Sequence, residues 1–145
     1  MVQQDFTVIP CQDRIEKPWG YEIHYTAKDF PHTGKILFVL AGKKLSFQYH
    51  DEKEETICLF SGKAFIWLEN SRGEVEKVPM DLQKGYKISP FQKHRLEALD
   101  DCYFLESSGP ETGTTVRLDD DYKRPDETEE LRKQKNRGWD EKINP

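Results

Sequence analysis

From Gly20 to Glu106 the chain repeats one pattern, a short alternating or apolar run followed by turn-forming residues. In Gly20–Thr26, Tyr21, Ile23 and Tyr25 alternate with Glu22, His24 and Thr26. A period of two is the mark of a half-buried strand. Lys35–Leu40 is continuously apolar and predicts a strand covered on both faces, whereas Leu45–His50 alternates again. Glu55–Phe60, Ala64–Leu68, Val75–Met80, Tyr86–Ser89, Arg95–Leu99 and Tyr103–Glu106 continue the series. Asp29–Gly34, Ser61–Lys63, Asn70–Gly73 and Pro90–Lys93 punctuate it, with Asn70–Gly73 reading as a hairpin turn. Eight or nine short strands with no amphipathic helix before residue 125 predict an all-β sandwich or barrel. No internal repeat is visible.

The 145 residues suit one domain, and 35% apolar residues suffice for one core. Residues 1–125 read as that domain and 126–145 as a polar C-terminal tail. In the tail, Asp126 is a candidate N-cap, with acidic residues leading and Arg132, Lys133 and Lys135 following. A short docked helix and a frayed tail remain equally open. A net charge of −5 argues against general nucleic-acid binding. No apolar run is long enough to cross a membrane as a helix, so no membrane partner is expected. Met1–Pro10 lacks the basic start and apolar core of a signal peptide. Cys11, Cys58 and Cys102 are too scattered for a disulfide framework or a CxxC zinc site, and a cytoplasmic location is the expectation. Cys58 and Cys102 are expected to fill core space and Trp19 to pack over the barrel.

Gln48 and His50 leave the same face of an alternating strand. Inside a small barrel such a pair needs partners or costs several kcal/mol of desolvation, on the order given by transfer data. Glu55 opens the next strand and His94 a later one, and together the four form a mixed nitrogen–oxygen set suited to a divalent metal. The plainer alternative makes the histidines ordinary surface or hydrogen-bonded groups and Glu55 part of the solvated run Asp51–Glu55. Spacing alone leaves the two balanced.

Gly42, Gln48, His50, Glu55 and Gly62 resemble the first motif of the cupin superfamily, with Gln in place of its first His; Gly85, Pro90 and His94 resemble a shortened second motif. More narrowly, the chain is similar to the C-terminal cupin domain of the bifunctional type II mannose-6-phosphate isomerase/mannose-1-phosphate guanylyltransferases. The similarity is carried by Lys17–Tyr21, Leu45–His50, His94–Glu97 and Val116–Arg124, in order. It implies a jelly-roll barrel, Gln48, His50, Glu55 and His94 as metal ligands, and zinc as the metal, with manganese, cobalt, nickel or iron as alternatives. Lys53 stands where that family has arginine, Thr56 where it has His or Trp, and Lys123 interrupts its closing Tyr-Gly-Arg. No Gly-rich phosphate loop occurs, so nucleotidyl transfer is not expected.

The activity implied is conversion of mannose 6-phosphate to fructose 6-phosphate, a proton transfer between C1 and C2 needing a base. No base is singled out; Glu97 falls on the opposite face from His94, and both Glu97 and His24 read as solvent-facing. Lys53, Arg95 and Arg117 are the candidate cations for a phosphorylated sugar, although Arg117 equally suits a salt bridge to Asp119–Asp121 and Arg95 a place at the barrel rim. The alternatives are a non-catalytic metal- or sugar-binding cupin, or another cupin enzyme such as an epimerase or Fe(II) oxygenase. Exposed sheet edges make a homodimer a reasonable expectation.

Overall fold

The alternation that marks the strands also decides what they enclose. In a computed structural model describing residues 6–143, eleven strands form two antiparallel sheets that face each other as a jelly roll. In chain order they are β1 Asp13–Lys17, β2 Gly20–His24, β3 Thr33–Val39, β4 Phe47–His50, β5 Glu55–Ser61, β6 Ala64–Glu69, β7 Val75–Pro79, β8 Gly85–Ile88, β9 His94–Ala98, β10 Cys102–Ser108 and β11 Thr115–Asp119. One sheet runs β1-β2-β3-β10-β5-β8 and the other β11-β4-β9-β6-β7. The strand count exceeds expectation by β1 and β11, whose charged residues mask their period; in β1 only Ile15 and Lys17 are buried.

The core is built from the inner faces of both sheets. Leu37, Val39, Ile57, Leu59, Ile66, Ile88, Leu96 and Phe104 are all buried, each contributing about 1.5–3 kcal/mol of transfer free energy if fully withdrawn from water. Trp19 joins this cluster and is 3% exposed. Gly20 is needed beside it, because a Cβ there would stand 2.0 Å from the Phe38 carbonyl oxygen. Two expectations are corrected. β3 is covered on one face only; Phe38 on its outer face is half-buried between Tyr21 and Tyr103, with ring centroids 5.2 and 4.9 Å away. Cys102 does fill the core, but Cys58 lies on the outward row of β5 and is half-buried.

The C-terminal segment docks. Glu127 and Thr115 exchange both backbone hydrogen bonds, extending the sheet beyond β11. A single helical turn, α1, follows over Glu129–Arg132. Thr128, not Asp126, caps it, accepting from the Leu131 N–H; the Asp126 carboxylate is occupied by the Arg117 N–H at 2.8 Å. A 3-10 turn over Lys135–Gly138 then returns the chain to β1, where the Asn136 side chain accepts from the Glu16 N–H at 3.1 Å. Among the described residues no helix is long and apolar enough to cross a membrane.

Candidate metal centre

Residues directly opposite in an antiparallel pair share a face. The inward rows therefore read Val39-Leu37-Lys35 on β3, Cys102-Phe104-Glu106 on β10, Leu59-Ile57-Glu55 on β5 and Ala98-Leu96-His94 on β9. Each row is apolar at one end and polar at the other. The registers Lys35 with Glu106, Glu55 with Ser108 and Gln48 with His94 bring the polar ends to the same end of the barrel. Opposite them, the inward row of β4 is polar, through Gln48 and the buried His50.

His50, Glu55 and His94, all buried, converge there, with one potential ligand atom from each within 4.8 Å of the others. His50 Nε2 and His94 Nε2 each lie 3.3 Å from the same oxygen, Glu55 Oε1. His94 Nδ1 donates to the Gln92 carbonyl at 2.8 Å, so that in the neutral ring Nε2 carries the lone pair. In that tautomer it faces a carboxylate oxygen, an acceptor against an acceptor. A divalent cation among the three groups removes the conflict, so the donor set fits one. His50 Nδ1 is held by Thr115 Oγ1 at 2.9 Å. Burial first, then the Lys53 charge, lowers the His50 pKa to about 4, so at neutral pH it is the uncharged imidazole that ligates metals. The Gln48 side-chain nitrogen lies 3.5 Å from His94 Nε2, and its oxygen accepts from Ser46 Oγ. The Ser46 hydroxyl can donate or accept, so exchanging the two ends of the amide would turn the Gln48 oxygen toward the ring without losing that bond.

Beside this group lies a narrow cavity of about 60 Å³, bordered by Gln48 and His50. Its walls carry a buried ion-pair network. Lys53 bridges Glu55 and Glu106 at 3.1 and 3.3 Å; Lys35 reaches Glu22, Glu106 and Glu111; Lys17 pairs with Glu22 at 3.0 Å. Burial alone would raise the Glu55, Glu22 and Glu111 carboxyls, yet the adjacent lysines hold all three well below the usual carboxylate range. Glu106 behaves oppositely: burial, and then the Glu55 charge, push it up to about 7 despite Lys35 and Lys53.

Of the cations named from sequence, Lys53 and Arg117 border the cavity. Arg117 pairs with Glu127 at 3.3 Å and not with Asp119–Asp121. Arg95 does not reach the cavity; it is buried against the Leu45 carbonyl and Asp119, under the Trp67 ring, and holds β9 to the loop before β4. Glu97 faces away from His94 as expected, accepting from Trp67 Nε1. His24 is not solvent-facing: its side chain is 13% exposed, against Glu22. The sequence reading missed Lys17, Lys35, Glu106, Glu111, Glu127 and Arg137, all of which border the cavity. The signal for Lys35 and Glu106 was a charge closing an otherwise apolar inward row.

No protein-family model and no curated protein sequence matches the chain. Solved structures do. Oxalate decarboxylase from Bacillus subtilis, in its pH 4.6 structure, superposes over 80% of this chain and 33% of its own with a TM-score of 0.66 at 14% identity. The fold is that of the cupins. CapF, solved with the inhibitor 3-isopropenyl-tropolone, matches over 72% of this chain and 32% of its own, with a TM-score of 0.58 and 16% identity. A further oxalate decarboxylase structure, described for its Mn(II) centres, matches with a TM-score of 0.65 at 12% identity, over 80% of this chain and 34% of its own. The chain spans about a third of the length of these structures.

Proposed function

We propose that the chain is a metal-dependent cupin enzyme acting on a small phosphorylated sugar, with isomerisation of mannose 6-phosphate to fructose 6-phosphate as the reaction. The observation that carries the reading is the convergence of His50, Glu55 and His94, with Gln48 beside them, at the border of a cavity lined by buried cations. Zinc suits the nitrogen–oxygen donors, as do manganese, cobalt, nickel and iron. When bound by these residues, a divalent cation supplies Lewis-acid stabilisation of negative charge on the substrate oxygens. Glu106 is the candidate base for the carbon-bound proton: it borders the same cavity, and a carboxyl pushed up to about 7 both accepts and returns a proton near neutral pH. Lys53 holds the Glu106 carboxylate in place. Arg117, bordering the cavity, supports an anionic group. Trp19 and Leu37 limit water at its apolar side.

The test is formation of fructose 6-phosphate from mannose 6-phosphate by protein loaded with zinc, manganese or cobalt. Turnover that disappears in His50→Ala supports the reading; no turnover with any of the three metals removes this substrate. The small size of the cavity favours a second reading, a cupin that binds a metal or a smaller anion without isomerising a sugar. About 60 Å³ holds a few waters, whereas pockets for ligands of drug size run to about 300 Å³ and above. Calorimetric binding of mannose 6-phosphate without turnover would decide for it.

A further inference from the structure

One ion pair stands between the inner cavity and a much larger groove. The groove, of about 1120 Å³, runs between the docked C-terminal segment and β1–β2, and the residues it shares with the inner cavity are Glu111 and Arg137. Arg137 Nη2 lies 2.5 Å from Glu111 Oε2, and its Nη1 lies 2.6 Å from Glu127 Oε1. The side chain is 9% exposed.

We propose that the Arg137–Glu111 pair is a gate, and that an anion entering along the groove opens it by replacing Glu111 on the Arg137 guanidinium.

Three features support opening. Neither carboxylate is orphaned when Arg137 leaves. Glu111 keeps Lys35 and Lys53, and Glu127 keeps Lys17, Arg117 and Arg132. The usual penalty of breaking a buried pair, an uncompensated charge, is thereby avoided. Next, the segment carrying Arg137 is held by polar contacts and not by apolar burial. α1 and the 3-10 turn contain no buried residue, and Asn136 and Arg137 sit at φ 49° and 51°, the left-handed region that costs about 1 kcal/mol or more for such residues. Segments of this kind open locally before the fold does.

The third feature names the ligand. The chain carries a net charge of −5, yet the groove is lined by Arg14, Lys28, Arg132, Lys133, Lys135 and Arg137, with Asp13 and Glu111 as its acids. Arg14, Lys28 and Lys133 are engaged in exposed pairs with Glu16, Asp13 and Glu130, which screen weakly. Arg137 and Arg117 border the cavity, and their Nε–H groups are buried with no hydrogen-bond acceptor among the described residues. A phosphate offers the oxygens both lack and binds a guanidinium bidentately. The gate rests on geometry; the choice of a phosphorylated ligand rests on the functional reading above.

The experiment reads access without metal or turnover. Ser46, 1% exposed at the cavity wall, is replaced in Ser46→Cys, and modification of the introduced thiol by the anionic sulfonatoethyl and the cationic trimethylammonioethyl methanethiosulfonates is timed by peptide mass spectrometry, which separates it from Cys11, Cys58 and Cys102. Leu45→Cys serves as a second reporter on the same wall. Adding Arg137→Ala is expected to speed modification by about tenfold or more, the response of a locally opening segment that loses its latch. With Arg137 intact, the anionic reagent is expected to outpace the cationic one, and inorganic phosphate is expected to slow it relative to chloride at equal ionic strength. Equal rates with and without Arg137, in protein shown folded by circular dichroism, would overturn the gate. A cationic reagent that reacts as fast as the anionic one would overturn the anion route, and this comparison needs no change at residue 137.

Discussion

In the neutral ring, His94 and Glu55 meet acceptor to acceptor: His94 Nε2 lies 3.3 Å from Glu55 Oε1 while Nδ1 donates to the Gln92 carbonyl. A cation binding there relieves a contact that the folded chain otherwise carries. Zinc or manganese in excess should therefore raise the melting temperature. Metal at about a hundred times its dissociation constant adds roughly 2.7 kcal/mol, which is a shift of several degrees for a domain of this size. Differential scanning calorimetry of the chelator-stripped protein checks it, and His94→Ala should abolish the shift.

Glu106→Gln keeps the size of the side chain and removes its ability to take a proton. If Glu106 is the base, isomerase turnover falls by about a hundredfold or more while metal content is unchanged. Steady-state kinetics together with metal analysis separates this from loss of the centre.

Acid should unfold the protein through its buried carboxylates. Burial would raise Glu22, Glu111 and Glu127, but Lys17, Lys35 and Arg137 hold them well below their ordinary range. Their stabilisation is complete above about pH 4.5, the unfolded range, and is lost as the pH falls toward the folded values. The limiting slope is about 1.4 kcal/mol per pH unit for each group. Glu106 has the opposite sign. Its folded pKa of about 7 lies above the unfolded value, so its contribution declines as the pH rises from about 4.5 to 7 and is flat beyond. Guanidinium titrations across pH 3–8 check both limbs; Glu127→Gln should flatten the acid limb and Glu106→Gln the other.

Phe104 is 0% exposed, at the middle of the inward row of β10. Phe104→Ala should cost about 3–5 kcal/mol, read from the urea midpoint. Tyr103→Ala, on the outward row and 40% exposed, should cost much less.

The fold was legible because alternation survives wherever inward residues are apolar, as in Leu37 and Val39 or Ile57 and Leu59. It was lost in β1 and β11, where the inward or flanking residues are charged, so that Ile15 and Lys17 do not read as one face. The convergence of His50, Glu55 and His94 was legible through the resemblance to the cupin motifs, where spacing alone left it balanced. The ion-pair network was not, because Lys35, Glu106, Glu111 and Arg137 meet only through register and the returning tail. Nothing local in sequence links Arg137 to Glu111. Arg95 misled for the complementary reason: it neighbours His94, and neighbours on a strand point to opposite faces.

Elemental analysis of the purified protein, after loading with zinc or manganese and removal of excess ion, tests the central claim most directly. The account predicts close to one divalent ion per chain, retained in Arg72→Ala, an exposed residue of the β6–β7 turn, and lost in His50→Ala and in His94→Ala. An intact, folded protein that holds no ion, or the same ion content in both histidine variants, would contradict it.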